Sequence, residues 1–201
     1  SETLGRIYRQ SRRMKDMLNI VLDLRKMEVG KSAMKMENSN FNEWLTCVTQ
    51  DMVTEGKAEG ITINRELDPA LTAVDFDKAK CETIMVNILM NAMKHSSKGD
   101  TITIKSQLTG NGMVHVSTSD QGLGLRDIDP SQMFTSFYQS NSEQYASGIG
   151  LSYSKILVEL HGGSIGAFDN PDRGATFWWE IPAVASAFVS AIPSRAYLNE
   201  I

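Results

Sequence analysis

Hydrophobic and polar positions along this chain change spacing several times, and each change marks a new element. From residue 2 to about residue 30 the apolar residues recur at heptad spacing. Leu4, Ser11, Leu18 and Arg25 hold one position, Ile7, Met14 and Val21 the other, and Tyr8 and Leu22 widen the stripe. This predicts one long helix, ended by Gly30, whose stripe needs a partner helix to bury it. A short extended piece follows in "SAMKMENS". A second helix, which Asn42 can cap, then runs through Trp44, Leu45, Val48 and Met52. "ITINREL" alternates as a strand does, Asp68-Pro69 turns the chain, and "LTAVD" reads as another short strand. Asp77 is placed to cap a long helix from Lys78 to about Ser96.

Beyond that helix the period returns to two. "TITIKSQL" and "GMVHVSTSD" form a hairpin around Gly110, Asn111 and Gly112. A glycine-rich loop, a polar segment, a helix near 149–161 and two closing strands, "GSIGAF" and "GATFWWEI", complete the series. The tail from Ala183 has no clear period and reads as a linker or docked extension. Interspersed helices and dominant hairpins predict an α+β fold: a two-layer sandwich with a mixed sheet covered by helices on one face, preceded by the long N-terminal helix.

Composition narrows the function classes. The chain is 41% hydrophobic and 22% charged, with a formal charge of -4 and a pI near 5.4. No basic face is visible, so no nucleic-acid contact is expected. Cys47 and Cys81 lack a CxxC partner and read as reduced thiols of a cytoplasmic protein. No stretch is long enough to span a bilayer, so a membrane would be reached only through segments outside this chain.

Four features then recur in order. "NILMNAMKH" puts Asn87, Asn91, Lys94 and His95 on one side of a helix; "DQGLG", Asp120 to Gly124, follows a strand directly; "MFTSFYQSN" spaces Phe134 and Phe137 three apart; "SGIGLS", Ser147 to Ser152, opens a helix, with "GATF" on the last strand. Each alone is commonplace: Asp and Gly are ordinary turn residues, and GxG before a helix is frequent. Together they assemble a chemistry. Two amide oxygens suit Mg²⁺, a hard cation that prefers oxygen and keeps water and phosphate as its other ligands. Lys94 can meet a phosphate as a point charge. An ionised Asp120 only accepts hydrogen bonds, so it takes the exocyclic amine of adenine and rejects a carbonyl. Gly122 and Gly124 let backbone approach a flat ring, and Gly148 and Gly150 aim N–H groups at phosphates from a helix start.

With these boxes the chain resembles the ATP-binding (GHKL, Bergerat-fold) domain of bacterial sensor histidine kinases. The N box is "NILMNAMKH", G1 is "DQGLG", the F box surrounds Phe134 and Phe137, G2 is "GIGLS" and G3 is "GATF". "RQSRRMKDMLNIVLDLRKMEVG" is similar to the second helix of the family's dimerisation domain, and "FYQS" and "VELHGGSI" are similar to its hybrid-sensor branch. The resemblance implies three regions: residues 1–31, a dimerisation helix; 32–182, the ATP-binding domain; 183–201, a linker or tail. It implies Asn91, with Asn87, on Mg²⁺ and phosphates, Lys94 and His95 at phosphate or ribose, and Asp120 at the adenine amine. Gly122, Gly124, Phe137, Gly148, Gly150 and Leu151 would line the pocket, Thr176 would support adenine through water, and residues from about 126 to 147 would form a lid.

The same resemblance implies ATP and Mg²⁺ as cofactors, a homodimer through the N-terminal helix, and a response-regulator receiver domain as partner. It implies the cytoplasmic portion of an inner-membrane sensor. Related ATPases carry a water-activating glutamate where this chain has Asn87, an amide that is no general base at neutral pH. Transfer to a protein side chain is therefore expected over hydrolysis. His95, His115 and His161 all sit where structural or ligand-facing roles fit, so no phosphoacceptor histidine is expected in this chain. It reads as a fragment inactive in autophosphorylation alone. "TSFYQSNSEQYAS" offers no basic residue, which leaves Lys94, Lys155 and backbone N–H groups for a triphosphate.

Overall fold

A computed structural model describes residues 34–125, 128–135 and 150–184. The expected N-terminal helix, Phe137, Gly148, most of the lid and the tail from residue 185 lie outside the described residues.

The chain enters through a short strand, β1 (Glu37–Ser39), and helix α1 (Phe41–Glu59). Asn40, rather than Asn42, caps α1: its side-chain oxygen accepts from the Glu43 N–H at 3.2 Å, and its amide donates back to the Glu43 carboxylate at 2.9 Å. Asn42 is drawn elsewhere. Its amide donates to the Asp68 carbonyl at 2.7 Å, and its side-chain oxygen accepts from the Ser106 hydroxyl at 3.2 Å. Gly60, at φ +81°, closes the helix in the left-handed conformation.

β2 (Thr62–Leu67) and β3 (Val74–Phe76) follow, then helix α2 (Lys78–His95), capped by Asp77 as its position predicts. The hairpin of β4 (Thr101–Leu108) and β5 (Met113–Ser119) leads past the glycine-rich loop and a 3₁₀ turn at Pro130–Phe134. Helix α3 (Gly150–Leu160) and the strands β6 (Ser164–Asp169) and β7 (Ala175–Pro182) close the series. Five strands form one mixed sheet in the order β2-β4-β5-β7-β6, with β2 and β4 parallel and the other neighbours antiparallel. β1 and β3 make a separate antiparallel pair.

Period-two alternation decides which face is covered. Ile102 and Ile104 of β4, Val114, Val116 and Thr118 of β5, and Phe177, Trp179 and Ile181 of β7 are all buried. They meet Leu45, Met85, Ile88, Leu89 and Leu157 of the helices in one core. Phe41, Trp44 and Phe76 form an aromatic cluster at its edge, with ring centroids 5.0 to 5.1 Å apart, and Trp179 lies 6.1 Å from Phe41. The intervening strand residues face away from the helices. This is the two-layer α+β arrangement that the patterning predicts.

Candidate functional site

Helix α2 is the spine of the site, because its C-terminal carbonyl at His95 meets the Gly122 loop and its Asn87 reaches the start of α3. Its burial explains which residues are left over for chemistry. Ile84, Met85, Ile88, Leu89 and Ala92 go into the core, so Asn87 and Asn91 fall on the flank beside them, each only partly buried. The two amides are used differently. Asn87 Nδ2 donates to the Gly150 carbonyl at 3.1 Å and to the Ser154 hydroxyl at 3.2 Å, tying α2 to the first turn of α3. Because two acceptors fix the NH₂ end, the carbonyl end is the one left for another partner. Asn91, one turn on, makes no side-chain hydrogen bond among the described residues. Lys94 and His95 complete the last turn. Leu151 packs partly buried against the core just inside α3.

The loop after β5 closes on that last turn. Asp120 is 4% exposed, and its Oδ1 accepts from the Gly122 N–H at 2.8 Å and the Ala175 N–H at 3.2 Å. Oδ2 takes no hydrogen bond among the described residues. Gly122 sits so tightly on the His95 carbonyl that a β-carbon there would overlap it. Gly124 adopts φ +70° above the Asp169 carboxylate, which accepts the next N–H, that of Leu125, at 2.6 Å. The structure thus brings His95 of α2 together with Gly122 and Asp120, and Gly124 beside Gly174, while Asn87 of α2 reaches across to Gly150 of α3 and Asn91 lies one turn before His95.

Thr176 is placed apart from Asp120. The register pairs it with Ser119, and strand alternation puts both on the side of the sheet away from the helices. Its hydroxyl bonds Ser119 Oγ at 2.9 Å and Asn170 Oδ1 at 2.6 Å. Across from Asp120 on the covered side stands Ala175. Asn170 in turn donates to the Asp120 carbonyl at 2.8 Å, so this hydroxyl–amide ring holds the β6–β7 turn against the loop.

Sequence reading missed two supports and one inward polar residue. Gly174, at φ +86°, lets the start of β7 pass so close to Asp120 that a side chain there would collide with it. Asp100, 6% exposed, takes both of its oxygens to Arg173 at 2.9 and 3.0 Å and accepts the Ser97 N–H at 2.7 Å, bracing the loop after α2. Thr118, an inward polar residue in the series Val114, Val116, Thr118, was visible as a break in the alternation. Among the described residues no three His, Cys, Asp or Glu side chains gather as metal ligands. A cation here would find amide oxygens: those of Asn87 and Asn91, which accept no hydrogen bond among the described residues, are ligands of that kind.

Comparison with known proteins identifies the family and the fold. Residues 76–185, more than half of the chain, match the family described as histidine kinase-, DNA gyrase B- and HSP90-like ATPase. The chain belongs to that family. Its relatives include the alginate biosynthesis sensor protein KinB of Pseudomonas aeruginosa, 26% identical over 83% of this chain and 28% of that protein. The adaptive-response sensory kinase SasA of Prochlorococcus marinus is 28% identical over 85% of this chain and 46% of that protein. The chain therefore spans less than half of these curated relatives. Among solved structures, the catalytic domain of the histidine kinase ThkA superposes with a TM-score of 0.68 at 24% identity, covering 75% of this chain and 97% of that one. Full-length ShkA in complex with AMPPNP gives 0.72 at 22% identity, over 93% of this chain and 40% of that one. The fold is that of the GHKL catalytic domain. No described helix is long and apolar enough to cross a membrane.

Proposed function

We propose that this chain is the ATP-binding catalytic domain of a sensor histidine kinase of hybrid type. In this reading, residues 1–31 supply the second helix of a dimerising pair and residues 183–201 a linker. The protein works as a homodimer in the cytoplasmic portion of an inner-membrane sensor. ATP gives its γ-phosphoryl group to a histidine on the companion helix, from which a receiver aspartate takes it.

The observation that carries the reading is the half-used carboxylate of Asp120. Two backbone N–H groups fix Oδ1, so Oδ2 is held in place and accepts no hydrogen bond among the described residues. Such an acceptor selects an amine on a flat base. Gly122 and Gly124 keep side chains away from the plane of that base, and Phe137 and Leu151 would be its apolar contacts. Lys94 and His95 would contact phosphate and ribose, Gly148 would line the same pocket, and Gly150 offers its N–H at the start of α3. Asn91 and Asn87 would hold Mg²⁺, whose charge offsets that of the phosphates during transfer. Thr176 supports this site from behind, through the Asn170 ring. Asn87 also separates transfer from hydrolysis, since an amide cannot draw a proton from water.

The test is calorimetric titration with AMP-PNP and magnesium. Wild type should bind, and Asp120→Asn should weaken binding at least tenfold, about 1.4 kcal/mol. Equal affinity in the two proteins would remove the reading. A second reading, a nucleotide-binding regulatory module without transfer, is favoured by the absence of Lys and Arg from "TSFYQSNSEQYAS". ATP-dependent histidine phosphorylation in a protein that also carries the companion helix distinguishes the two.

A further inference from the structure

Asp100 is a carboxylate at a position where a neutral side chain would do the local work. It closes the turn after α2: Oδ2 accepts the Ser97 N–H at 2.7 Å, and its own N–H bonds the Ser97 carbonyl at 2.9 Å. Asparagine makes turns of this kind equally well. Asp100 is also 6% exposed, and a buried charge needs a counterion. Arg173 supplies it. One guanidinium nitrogen, Nη2, donates to both carboxylate oxygens, at 3.0 and 2.9 Å.

That ion pair joins segments that hold Asp120 from two directions. Arg173 belongs to the β6–β7 turn, which the Asn170 N–H closes on the Gly174 carbonyl at 2.9 Å. The Asn170 side-chain amide donates to the Arg173 carbonyl at 3.2 Å and to the Asp120 carbonyl at 2.8 Å. Two residues past Arg173, the Ala175 N–H reaches Asp120 Oδ1 at 3.2 Å. From the other direction comes Gln121, the neighbour of Asp120, whose side-chain oxygen accepts the Thr101 N–H at 2.7 Å. Asp100 and Thr101, adjacent in the chain, therefore fasten both the loop that carries Asp120 and the turn that faces it.

We propose that Arg173 and Asp100 are positioning residues for the Asp120 carboxylate, acting through Asn170 and Ala175. The inference rests on the nucleotide reading above. Oδ2 selects an exocyclic amine only while Oδ1 stays on its two N–H groups. One of those groups, that of Ala175, borders the turn that the ion pair fixes. Without the pair this turn loses its bond to the loop after α2, and Asn170 draws Asp120 out of line with the base.

A competing use is structural. The Arg173 side chain is 57% exposed, and a pair so open to solvent is screened. In that use it steadies two turns and has no effect on which base is chosen.

Arg173→Gln, Asp100→Asn and the double variant separate the uses, with Asp120→Asn as control. Each is titrated calorimetrically, with magnesium, against AMP-PNP and the matching inosine nucleotide. Hypoxanthine carries a carbonyl where adenine has its amine, so it gives Asp120 nothing to accept. Asparagine keeps an acceptor for the Ser97 N–H and glutamine replaces an exposed side chain, so the variants should fold. The expected result is a preference for AMP-PNP reduced about fivefold in each single variant and no further in the double. Equal weakening of both nucleotides, or of neither, assigns the pair to structure and overturns the proposal, as does a reduced preference in only one single variant. If wild type and Asp120→Asn bind AMP-PNP alike, the nucleotide reading itself fails, and this proposal with it.

Discussion

The carbonyl of His95, the last residue of α2, lies where a β-carbon on residue 122 would have to be. Backbone packs on backbone here, with neither side able to turn away as a side chain would. Gly122→Ala therefore forces the Asp120 loop off the end of α2. We expect a loss of about 2 kcal/mol or more in chemical unfolding, together with weakened AMP-PNP binding. A variant as stable as wild type would mean that this contact is softer than the geometry shows.

The two asparagines of α2 should separate cleanly. Asn87 donates twice into the start of α3, so Asn87→Ala should cost about 1–2 kcal/mol of stability before any ligand is added. Asn91 supports no described hydrogen bond, so Asn91→Ala should keep its unfolding free energy within about 0.5 kcal/mol. Its magnesium-dependent affinity for AMP-PNP should nevertheless fall about tenfold. Equal stability losses in the two variants would refute the division of labour between them.

What the sequence shows of this architecture follows how local each determinant is. Asp77 is legible as a cap because its side chain acts on an N–H three residues away, that of Lys80. The strands are legible because one face of the sheet is covered. Asn40 and Asn42 are equally good caps by type, and the choice between them is made by the Asp68 carbonyl, 26 residues from Asn42. Thr176 and Ala175 sit side by side in "GATF". Which of them shares a face with Asp120 depends on the pairing of β7 with β5, a register that one strand alone does not specify. Arg173 and Asp100, 73 positions apart, carry no mutual signal in the chain. The glycines of the motifs were visible as glycines, whereas the carbonyls they make room for were not.

The far ends of α2 and α3 meet at His161, and that junction should give the protein a pH response. His161 is 1% exposed. Its Nδ1 lies 2.7 Å from the Leu157 carbonyl, and its Nε2 lies 3.2 Å from the Asp77 N–H. A carbonyl only accepts and an amide N–H only donates, so the proton sits on Nδ1 and Nε2 must remain bare. The Cys81 thiol, 3.5 Å from Nε2, is kept protonated by its burial and by the charge of Asp77. Burial holds the imidazole pKa below its ordinary value of 6.5, against the raising effects of the Leu157 carbonyl and of Asp77, while the Lys80 ammonium adds to the lowering. Above pH 6.5 the ring is neutral in both folded and unfolded chains. As the pH falls below 6.5 the unfolded chain takes the proton first, so stability declines toward the folded pKa and then levels. Asp77 acts in a separate, lower window. Burial opposes its charge, but the Lys35 N–H and the Lys80 side chain and N–H outweigh that, and its carboxyl titrates below 3.8. His161→Gln removes the upper window alone. Urea unfolding at several pH values should show wild type losing stability relative to the variant on descending from pH 6.5, and two parallel curves would exclude His161 as the titrating group.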